Sequence, residues 1–372
     1  MTALSRIASV RARPMGRMIA LAAALALPCH ALAASTPVGI DALKVYNLVV
    51  LGDLTSSSEV EGRTFVGGNL TGNSSNYQIA ALPASSYTGA GLVVVGDVTG
   101  GIKNLNNGAG AVVGGSVASG FNLNGSPQTV QVGGTISNTN VNSNTVQSNL
   151  GTTNPSFVAN LQQDGSLMKT SMNELSYQLS QQAPNSTIAI SGNRGTFTAQ
   201  PDANGVAVFN ITAANLNAIG EIQFNTNGAD TVIVNVSGPN VVLNDNFLGG
   251  TANLGQKVIW NFPDATDLTL TTAWGGSVLA PKAAAHTYNY IQGSAVFGSL
   301  TQDGEMHIGT YAGGYTVPTD PAVPPSSSGG STSGGSSGSS GGTAVPEPGM
   351  LLLLAIGLGG LMLGRKRRPA QA

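Results

Sequence analysis

The stretch that decides the fold is Val112-Val113-Gly114-Gly115-Ser116-Val117, a short apolar run that ends in glycine. Similar segments lie at residues 48–54, 65–70, 93–98 and 130–136. Their glycines at positions 52, 67, 96, 114 and 133 are separated by 15, 29, 18 and 19 residues. This spacing, read as one repeat with one doubled interval, predicts a β-solenoid in which each segment is a turn with glycine at the corner. The spacing also fits a sandwich with frequent turns.

The composition of residues 34–317, called the body below, favours the same mainly β class. The body is rich in Gly, Asn, Ser, Thr and Val. Asn and Gly tolerate left-handed corners, and Val and Thr suit strands. Further strands are predicted at intervals between residues 187 and 300, and the apolar run 231–236 is expected to be central.

One segment predicts a single helix packed along the stacked strands. Asn154-Pro155-Ser156 is typical of a helix start, and Pro184 limits the helix at its other end. Gly165 is expected to weaken its middle and to split it. One apolar face recurs at steps of 3, 4 or 7 residues, and it consists of Phe157, Leu161, Met168, Met172, Leu175 and Leu179.

The C-terminal tail combines a short motif, an apolar run at 350–363 and a basic cluster. The motif is Val345, Pro346, Glu347 and Pro348, and the cluster is Arg365, Lys366, Arg367 and Arg368. A short hydrophobic helix over residues 349–364 would span about 24 Å, against about 30 Å for a bilayer core. The tail resembles the PEP-CTERM sorting signal, which implies recognition by an exosortase at the inner membrane and cleavage near the motif. An uncleaved C-terminal anchor is the alternative.

The N-terminus reads as a secretory signal peptide over residues 1–33. A basic segment precedes an apolar one, and Ala31 and Ala33 provide the small residues of a cleavage site. Cys29, the single cysteine, lies inside this signal, so the exported chain is expected to lack disulfides. We therefore expect the body to be exported and membrane-anchored until processed, and then to remain at the cell surface or outside it.

Without the two terminal signals, the chain has a strongly negative net charge and ends in a segment of distinct composition. Four of the 15 basic residues lie within residues 1–33 and four within 365–368, which leaves seven against 17 acidic residues, a net charge of −10. Nucleic acid is therefore an unexpected partner, since phosphate binding needs a basic surface. Residues 318–344 are Pro-rich and then Ser/Gly-rich, which predicts a disordered linker between the body and the sorting signal at 345–372.

Three blocks of the body resemble the choice-of-anchor A family. They are 46–70, the Trp260 block at 259–265, and 277–307. The resemblance implies an extracellular domain that different members join to different anchoring or sorting signals. The block at 277–300 is also similar in layout to the ice-binding β-solenoid family, which carries a helix beside its strands. An ice-binding face requires flat ranks of threonine, and only 196–198 and 269–272 suggest one.

Groups that could perform chemistry are scarce. Glu305 and His307 would face the same side of a strand, where they could bind a cation, move a proton, or pair with Arg63 and Glu61. Asp53 and Asp97 occupy equivalent repeat positions and are expected to stack, as turn caps or as calcium ligands. No catalytic motif or metal-ligand pattern is recognised in the sequence. We expect no catalytic residue, cofactor or metal site.

The sequence thus predicts an exported, non-catalytic surface or matrix protein. Adhesion or association with exopolysaccharide in a biofilm is the leading function, with a carbohydrate-active enzyme and an ice-binding protein as alternatives. The expected partners are an exosortase, transiently the inner membrane, and exopolysaccharide. The candidates for stacking on sugar rings are Trp260, Trp274, Tyr288 and Tyr290, although core packing is favoured for the tryptophans.

Overall fold

The computed structural model of the protein describes residues 36–82 and 85–316. They belong to a compact unit that ends at Pro318. The first half of this unit contains α1 (Ile40–Val45), β1 (Tyr46–Val50), β2 (Leu54–Ser56), β3 (Glu59–Val60), β4 (Arg63–Val66), β5 (Leu70–Thr71), β6 (Ser75–Tyr77), β7 (Leu92–Val94), β8 (Lys103–Leu105), β9 (Ala111–Val113), β10 (Phe121–Leu123), β11 (Thr129–Val132), β12 (Thr145–Gln147), α2 (Leu150–Thr153) and α3 (Ser156–Ser180).

The second half is almost entirely β. It contains β13 (Thr187–Ser191), β14 (Arg194–Thr198), β15 (Val206–Thr212), α4 (Ala213–Leu216), β16 (Glu221–Asn225), β17 (Thr231–Ser237), β18 (Asn240–Leu243), β19 (Asn246–Leu248), β20 (Val258–Asn261), β21 (Asp267–Leu270), β22 (Trp274–Gly275), β23 (Ser277–Thr287), β24 (Ile291–Gln292), β25 (Ala295–Gln302) and β26 (Met306–His307). The fold is therefore mainly β with few helices, as predicted.

The strands form long parallel rows. The first row runs β12-β11-β9-β7-β4-β1-β25-β23-β20-β17-β15. The second row runs β18-β21-β23-β25-β2-β5 and is continued by single bridges from Leu70 through Val98 and Val117 to Ile136. The third row is β10-β8-β6-β3-β26-β24-β22, and a smaller sheet is β13-β14-β16-β19. Among the described strands, β13 and β14 form the one antiparallel pair.

Strand register explains the glycine spacing of the sequence. Val50 pairs with Val66, Val66 with Val94, Val94 with Val113, and Val113 with Val132. The segments recognised in the sequence are therefore hydrogen-bonded neighbours. The predicted doubled interval is wrong, because β4 pairs directly with β7 and the 29-residue interval therefore contains one repeat.

Two long strands turn a corner between the first and second rows. The first halves of β23 and β25 pair in the first row, and their second halves pair in the second row. The register of β23 shifts between Ala280 and Ala284, beside Pro281. Proline is tolerated in a strand at such an irregularity. A strand that continues through Pro281 is not evident from the sequence, because proline marks a strand end in most contexts.

Two apolar cores cover both faces of the first row. Leu48, Val50 and Val66 point into an inner core, while Val49 and Phe65 join a second core beneath α3. Buried parallel sheets have apolar residues on both faces, which explains the continuous valine runs. β17 shows the same pattern but lies next to the terminal strand β15, so its predicted central position is wrong.

Helix α3 begins at Ser156, and its packing against the first row is confirmed. It contacts β17, β20 and β23. Five of its six predicted apolar-face residues are buried in the second core together with β-strand residues: Leu161, Met168, Met172, Leu175 and Leu179. The split considered at Gly165 does not occur, because the helix is continuous through this residue. A Cβ atom at this position would lie 3.1 Å from Cγ2 of Val95, so glycine permits close approach to the strands.

The signal peptide, the linker and the sorting signal, including its apolar segment, lie outside the described residues. Over the described ranges 36–82 and 85–316, none of the helices combines the length and the apolar character needed to cross a membrane.

Candidate binding face

The outward side chains of the second row form a continuous polar surface, called the polar face below. Its buried counterparts, such as Leu54, Leu70 and Leu268, alternate with the outward residues along each strand. Two parallel ranks result, about 7 Å apart, with neighbours about 4.8 Å apart within a rank. One rank, called the ladder rank below, consists of Asn240, Asp267, Ala284, Ser299, Asp53, Asn69, Asp97, Ser116 and Thr135. The other, called the threonine rank below, consists of Val242, Thr269, His286, Thr301, Thr55, Thr71, Thr99, Ala118 and Ser137.

Part of the ladder rank is a chain of hydrogen bonds from one strand to the next. Oδ1 of Asp53 accepts from the backbone N–H of Asn69 at 2.7 Å, and Oδ1 of Asn69 accepts from that of Asp97 at 2.9 Å. Oδ1 of Asp97 and Oγ of Ser116 accept in the same way from Ser116 and Thr135, at 2.6 and 3.2 Å. Each side chain thus satisfies a backbone donor of the following repeat.

The ladder shows how the two predicted aspartates are used as hydrogen-bond acceptors. Asp53 and Asp97 occupy equivalent positions, as predicted, but Asn69 lies between them and they do not stack directly. One oxygen of each carboxylate is used by a backbone amide, which is the predicted turn-capping role. Among the residues that the structure describes, no group of three or more His, Cys, Asp or Glu side chains is arranged to hold a metal ion.

The ladder also explains why the repeats require glycine. A Cβ atom at Gly68 would collide with Oδ1 of Asp53, and one at Gly134 would collide with Oγ of Ser116. Gly115 has the same relationship to Asp97. The accepting oxygen of one repeat therefore occupies the space in which the next repeat would place a side chain.

A shallow cavity of about 480 Å³, called the notch below, lies in the middle of the polar face. Its floor includes the small residues Ala284 and Ser299, while Asp267 and Asp53 stand on either side in the ladder rank. The threonine rank closes the notch with Thr269, His286, Thr301 and Thr55. The notch presents carboxylate, hydroxyl and imidazole groups, and none of its lining residues is Lys or Arg.

His286 is held in place at the margin of the notch. Its Nε2 lies 2.9 Å from Oδ2 of Asp303, and its ring stacks on Tyr288 with centroids 3.9 Å apart. Ser57 donates to the other oxygen of Asp303 at 2.5 Å. The Ser57 hydroxyl and then His286 lower the pKa of Asp303, so this carboxylate remains charged. Tyr288 keeps 55% of its surface exposed and therefore offers an aromatic ring beside the notch.

The other predicted histidine pair lies elsewhere. Nε2 of His307 is 2.7 Å from Oε2 of Glu305, so the two do meet, with Tyr290 stacked on the histidine. The predicted pairing with Arg63 and Glu61 is wrong. The guanidinium of Arg63 donates to the backbone oxygen of Tyr87, and Glu61 accepts from the backbone N–H of Ile308.

Among the aromatic candidates for sugar stacking, the tryptophans lie in the core, as the sequence favoured. Trp260 and Trp274 are completely buried, so their core role is confirmed, and Nε1–H of Trp260 donates to the oxygen of Gly275 at 2.9 Å. Of the two threonine clusters, only Thr269 belongs to the polar face. The remaining threonines of the threonine rank were missed, because they lie singly in short strands far apart in the sequence.

Two family models match the chain. The family model described as "Putative Ice-binding-like adhesive domain" matches residues 39–308, and a PEP-CTERM protein-sorting motif matches residues 344–368. No curated protein and no solved structure matches the chain. The predicted family and the predicted sorting signal are thereby confirmed. The sorting motif implies recognition by an exosortase, export, and membrane anchoring before processing. Because the first match covers well over half of the chain, the protein belongs to the ice-binding-like adhesive domain family.

Proposed function

We propose that this protein is a non-catalytic adhesin that binds polysaccharide outside the cell through its polar face. The observation that carries the proposal is the notch, where Asp53 and Asp267 flank a floor of small residues. Carboxylate oxygens accept hydrogen bonds from sugar hydroxyls, and threonine hydroxyls both donate and accept. The exposed ring of Tyr288 gives an apolar surface for a sugar ring beside these groups.

The domain organisation is part of the same proposal. Residues 1–33 are removed as a signal peptide after Ala33, and the chain is cut near Val345 to Pro348, with the cluster at 365–368 left in the cytoplasm. The linker at 318–344 lets the processing enzyme reach the motif. The body is a β-solenoid, and the rows of parallel strands whose neighbours lie one repeat apart support this architecture. The final location is the cell surface or the biofilm matrix.

Charge limits the class of polysaccharide. Asp53, Asp97, Asp267 and Asp303 place negative charge along the polar face or at its margin, while neither rank contains Lys or Arg. Negative surfaces repel polymers rich in carboxylates or sulfates. The polar face therefore favours neutral or amino-sugar polysaccharides over uronic-acid polymers.

The alternative of a glycan-cleaving enzyme fits this face poorly. The two carboxylates of the notch are separated by three strand spacings, which amounts to roughly 14 Å between their backbones. Paired carboxyl groups in glycosidases lie about 5–10 Å apart.

The ice-binding alternative has one observation in its favour. Thr301, Thr55, Thr71 and Thr99 follow one another in the threonine rank, and Oγ1 of Thr99 donates to that of Thr71 at 3.1 Å. His286 interrupts the rank, however, and carboxylates flank it in the neighbouring rank. We expect no thermal hysteresis above that of an equally charged control protein. Hysteresis that disappears in Thr55→Lys would replace adhesion with ice binding.

Co-sedimentation with insoluble polymers tests the proposed function. Purified residues 34–318 are mixed with cellulose, chitin and calcium alginate beads, and the bound fraction is measured at physiological salt. We expect retention on cellulose or chitin and little on alginate. Ala284→Lys fills the notch and should weaken retention at least tenfold. Thr145→Lys adds the same charge at an exposed site on β12 and should have no effect. Equal retention of both variants, or no retention of the unmodified protein, would refute binding through the notch.

A further inference from the structure

A second cavity, of about 640 Å³, lies between the C-terminal half of α3 and strands β13, β15 and β17. It is called the helix groove below, and it shares no lining residue with the notch. Its volume is within the range of about 300–1,000 Å³ typical of small-ligand sites. Polar side chains dominate the lining, and they include Asn173, Gln181, Asn210 and Asn215.

Two large side chains are exposed on the walls of this groove. Tyr177 of α3 keeps 59% of its surface accessible and Ile190 of β13 keeps 47%. Tyr177 is not among the buried residues of α3, which include Met172, Leu175 and Leu179, so the core does not need its ring. An exposed aromatic ring with carboxamides around it offers both an apolar surface and hydrogen-bond groups.

A chain of side-chain hydrogen bonds begins in the interior and ends in the helix groove. Oγ of Ser176 donates to Oδ1 of Asn261 at 2.6 Å, and Nδ2 of Asn261 donates to Oδ1 of Asn235 at 2.9 Å. Nδ2 of Asn235 then donates to Oδ1 of Asn210 at 3.4 Å. All these bonds run in one direction, and such chains polarise their members.

The direction of this chain fixes what its last member presents. Asn210 is exposed and lines the groove, and its oxygen already accepts from Asn235. Its Nδ2 group is therefore the donor offered to the groove. A ligand must bring an acceptor oxygen to this point.

We propose that the helix groove binds a pyranose residue of a neutral oligosaccharide. The apolar face of the sugar ring lies on Tyr177, a ring or hydroxyl oxygen accepts from Nδ2 of Asn210, and the remaining hydroxyls meet Asn173 and Gln181. Lys282 and Asp264 also line the groove, and their opposite charges favour neither an acidic nor a basic ligand. This site is separate from the notch, and the two together would raise the avidity for one polymer.

Calorimetric titration with soluble hexasaccharides tests this site separately from the polar face. Purified residues 34–318 are titrated with cellohexaose, chitohexaose and α-1,6-mannohexaose, each in its own experiment. We expect at least one to bind, and Tyr177→Ala to weaken that binding at least tenfold. Leu167→Ala removes an exposed side chain of the same helix that lines neither cavity, so it is the matched control and should change the affinity less than twofold.

A second variant tests the hydrogen-bond donor. Asn210→Asp replaces the Nδ2 donor by an acceptor of the same shape and should also reduce affinity at least fivefold. Tyr177→Ala and Asn210→Asp should both keep the unfolding midpoint of the parent. If none of the three hexasaccharides binds, or if Tyr177→Ala and Asn210→Asp bind as the parent does, the helix groove is not a pyranose site. If the polymer assay shows no binding through the notch, the conclusion on the helix groove is unaffected, because the two cavities have no lining residue in common.

Discussion

The carboxylate of Asp97 accepts a hydrogen bond from the backbone N–H of Ser116 at 2.6 Å, across two neighbouring repeats. The same relationship links Asp53 to Asn69. A side chain on one repeat therefore binds the backbone N–H of the next one, while the backbone oxygen of Ser116 accepts from the N–H of Val98 at 2.8 Å. This bond gives a direct test of how the repeats are held together.

Truncating Asp97 should weaken the protein measurably. Asp97→Ala leaves the N–H of Ser116 without its acceptor, and we expect it to lower the free energy of unfolding by about 1–2 kcal/mol. Asp97→Asn keeps an acceptor oxygen and should lose less than half of that. Urea denaturation measures both, with Ala118→Ser on the same face as a neutral control. Equal stability of Asp97→Ala and its parent would contradict the capping role.

The glycine rule of the repeats predicts a coupled pair of substitutions. Gly134→Ala brings a Cβ atom against Oγ of Ser116 and should cost about 1–3 kcal/mol. Ser116→Ala removes that oxygen, so the double variant should lose less stability than the sum of the two single variants. Urea denaturation of all four proteins measures the coupling. Strict additivity would show that the collision is not with this hydroxyl.

Asp245 predicts a dependence of stability on pH. Its side chain is fully buried, its two carboxylate oxygens have no hydrogen-bond partner among the described residues, and burial raises its pKa to about 7. The unfolded chain has an ordinary value of about 3.9. The folded state thus holds this proton more tightly, and stability should fall as pH rises from about 4 through 7, by up to about 4 kcal/mol.

The substitution Asp245→Asn isolates this effect. An amide does not titrate, so the variant should gain stability relative to its parent at pH 8 and little or none at pH 4.5. Denaturation at several pH values measures the difference, and Asp267→Asn on the exposed polar face is the control. A constant difference between Asp245→Asn and its parent across this range would exclude the buried carboxyl as the titrating group.

The asparagine chain beneath α3 predicts a larger loss. Asn261 is fully buried and donates to the backbone oxygen of Ser176 at 2.8 Å while accepting from its hydroxyl. Asn261→Leu leaves these groups unpaired and should cost about 2–3 kcal/mol. Thermal unfolding followed by circular dichroism measures it, with the exposed Gln162→Ala on the same helix as control. A loss no greater than that of the control would mean that apolar packing alone holds the helix.

Local features of the fold could be read from the sequence because they rest on local chemistry. Glycine at 67, 96, 114 and 133 marks positions where neighbouring repeats approach closely, and the apolar spacing from Leu161 to Leu179 marks the buried face of a helix. The role of the repeated aspartates was also accessible, since Asp after Gly commonly binds backbone amides.

Contacts between distant parts of the chain could not be read in this way. Gly165 indicated a weak point in the helix. The sequence does not show that Val95, which is 70 residues away, packs against this glycine. The polar face was missed because its ranks combine single residues such as Thr55, Thr99 and Thr301 from different repeats. Asp245 gave no signal at all, because burial without a partner is a property of the fold.

The pairing of Leu48 with Ala295 has a consequence for export. The first strand of the domain and one of its last lie side by side in the middle of the row, and both extremities of the row come from the interior of the sequence. Synthesis must therefore run nearly to its end before the centre can form. We therefore expect a newly made chain to keep the centre of this row incomplete until β25 is available, so that the domain closes only after nearly all of it has been exported.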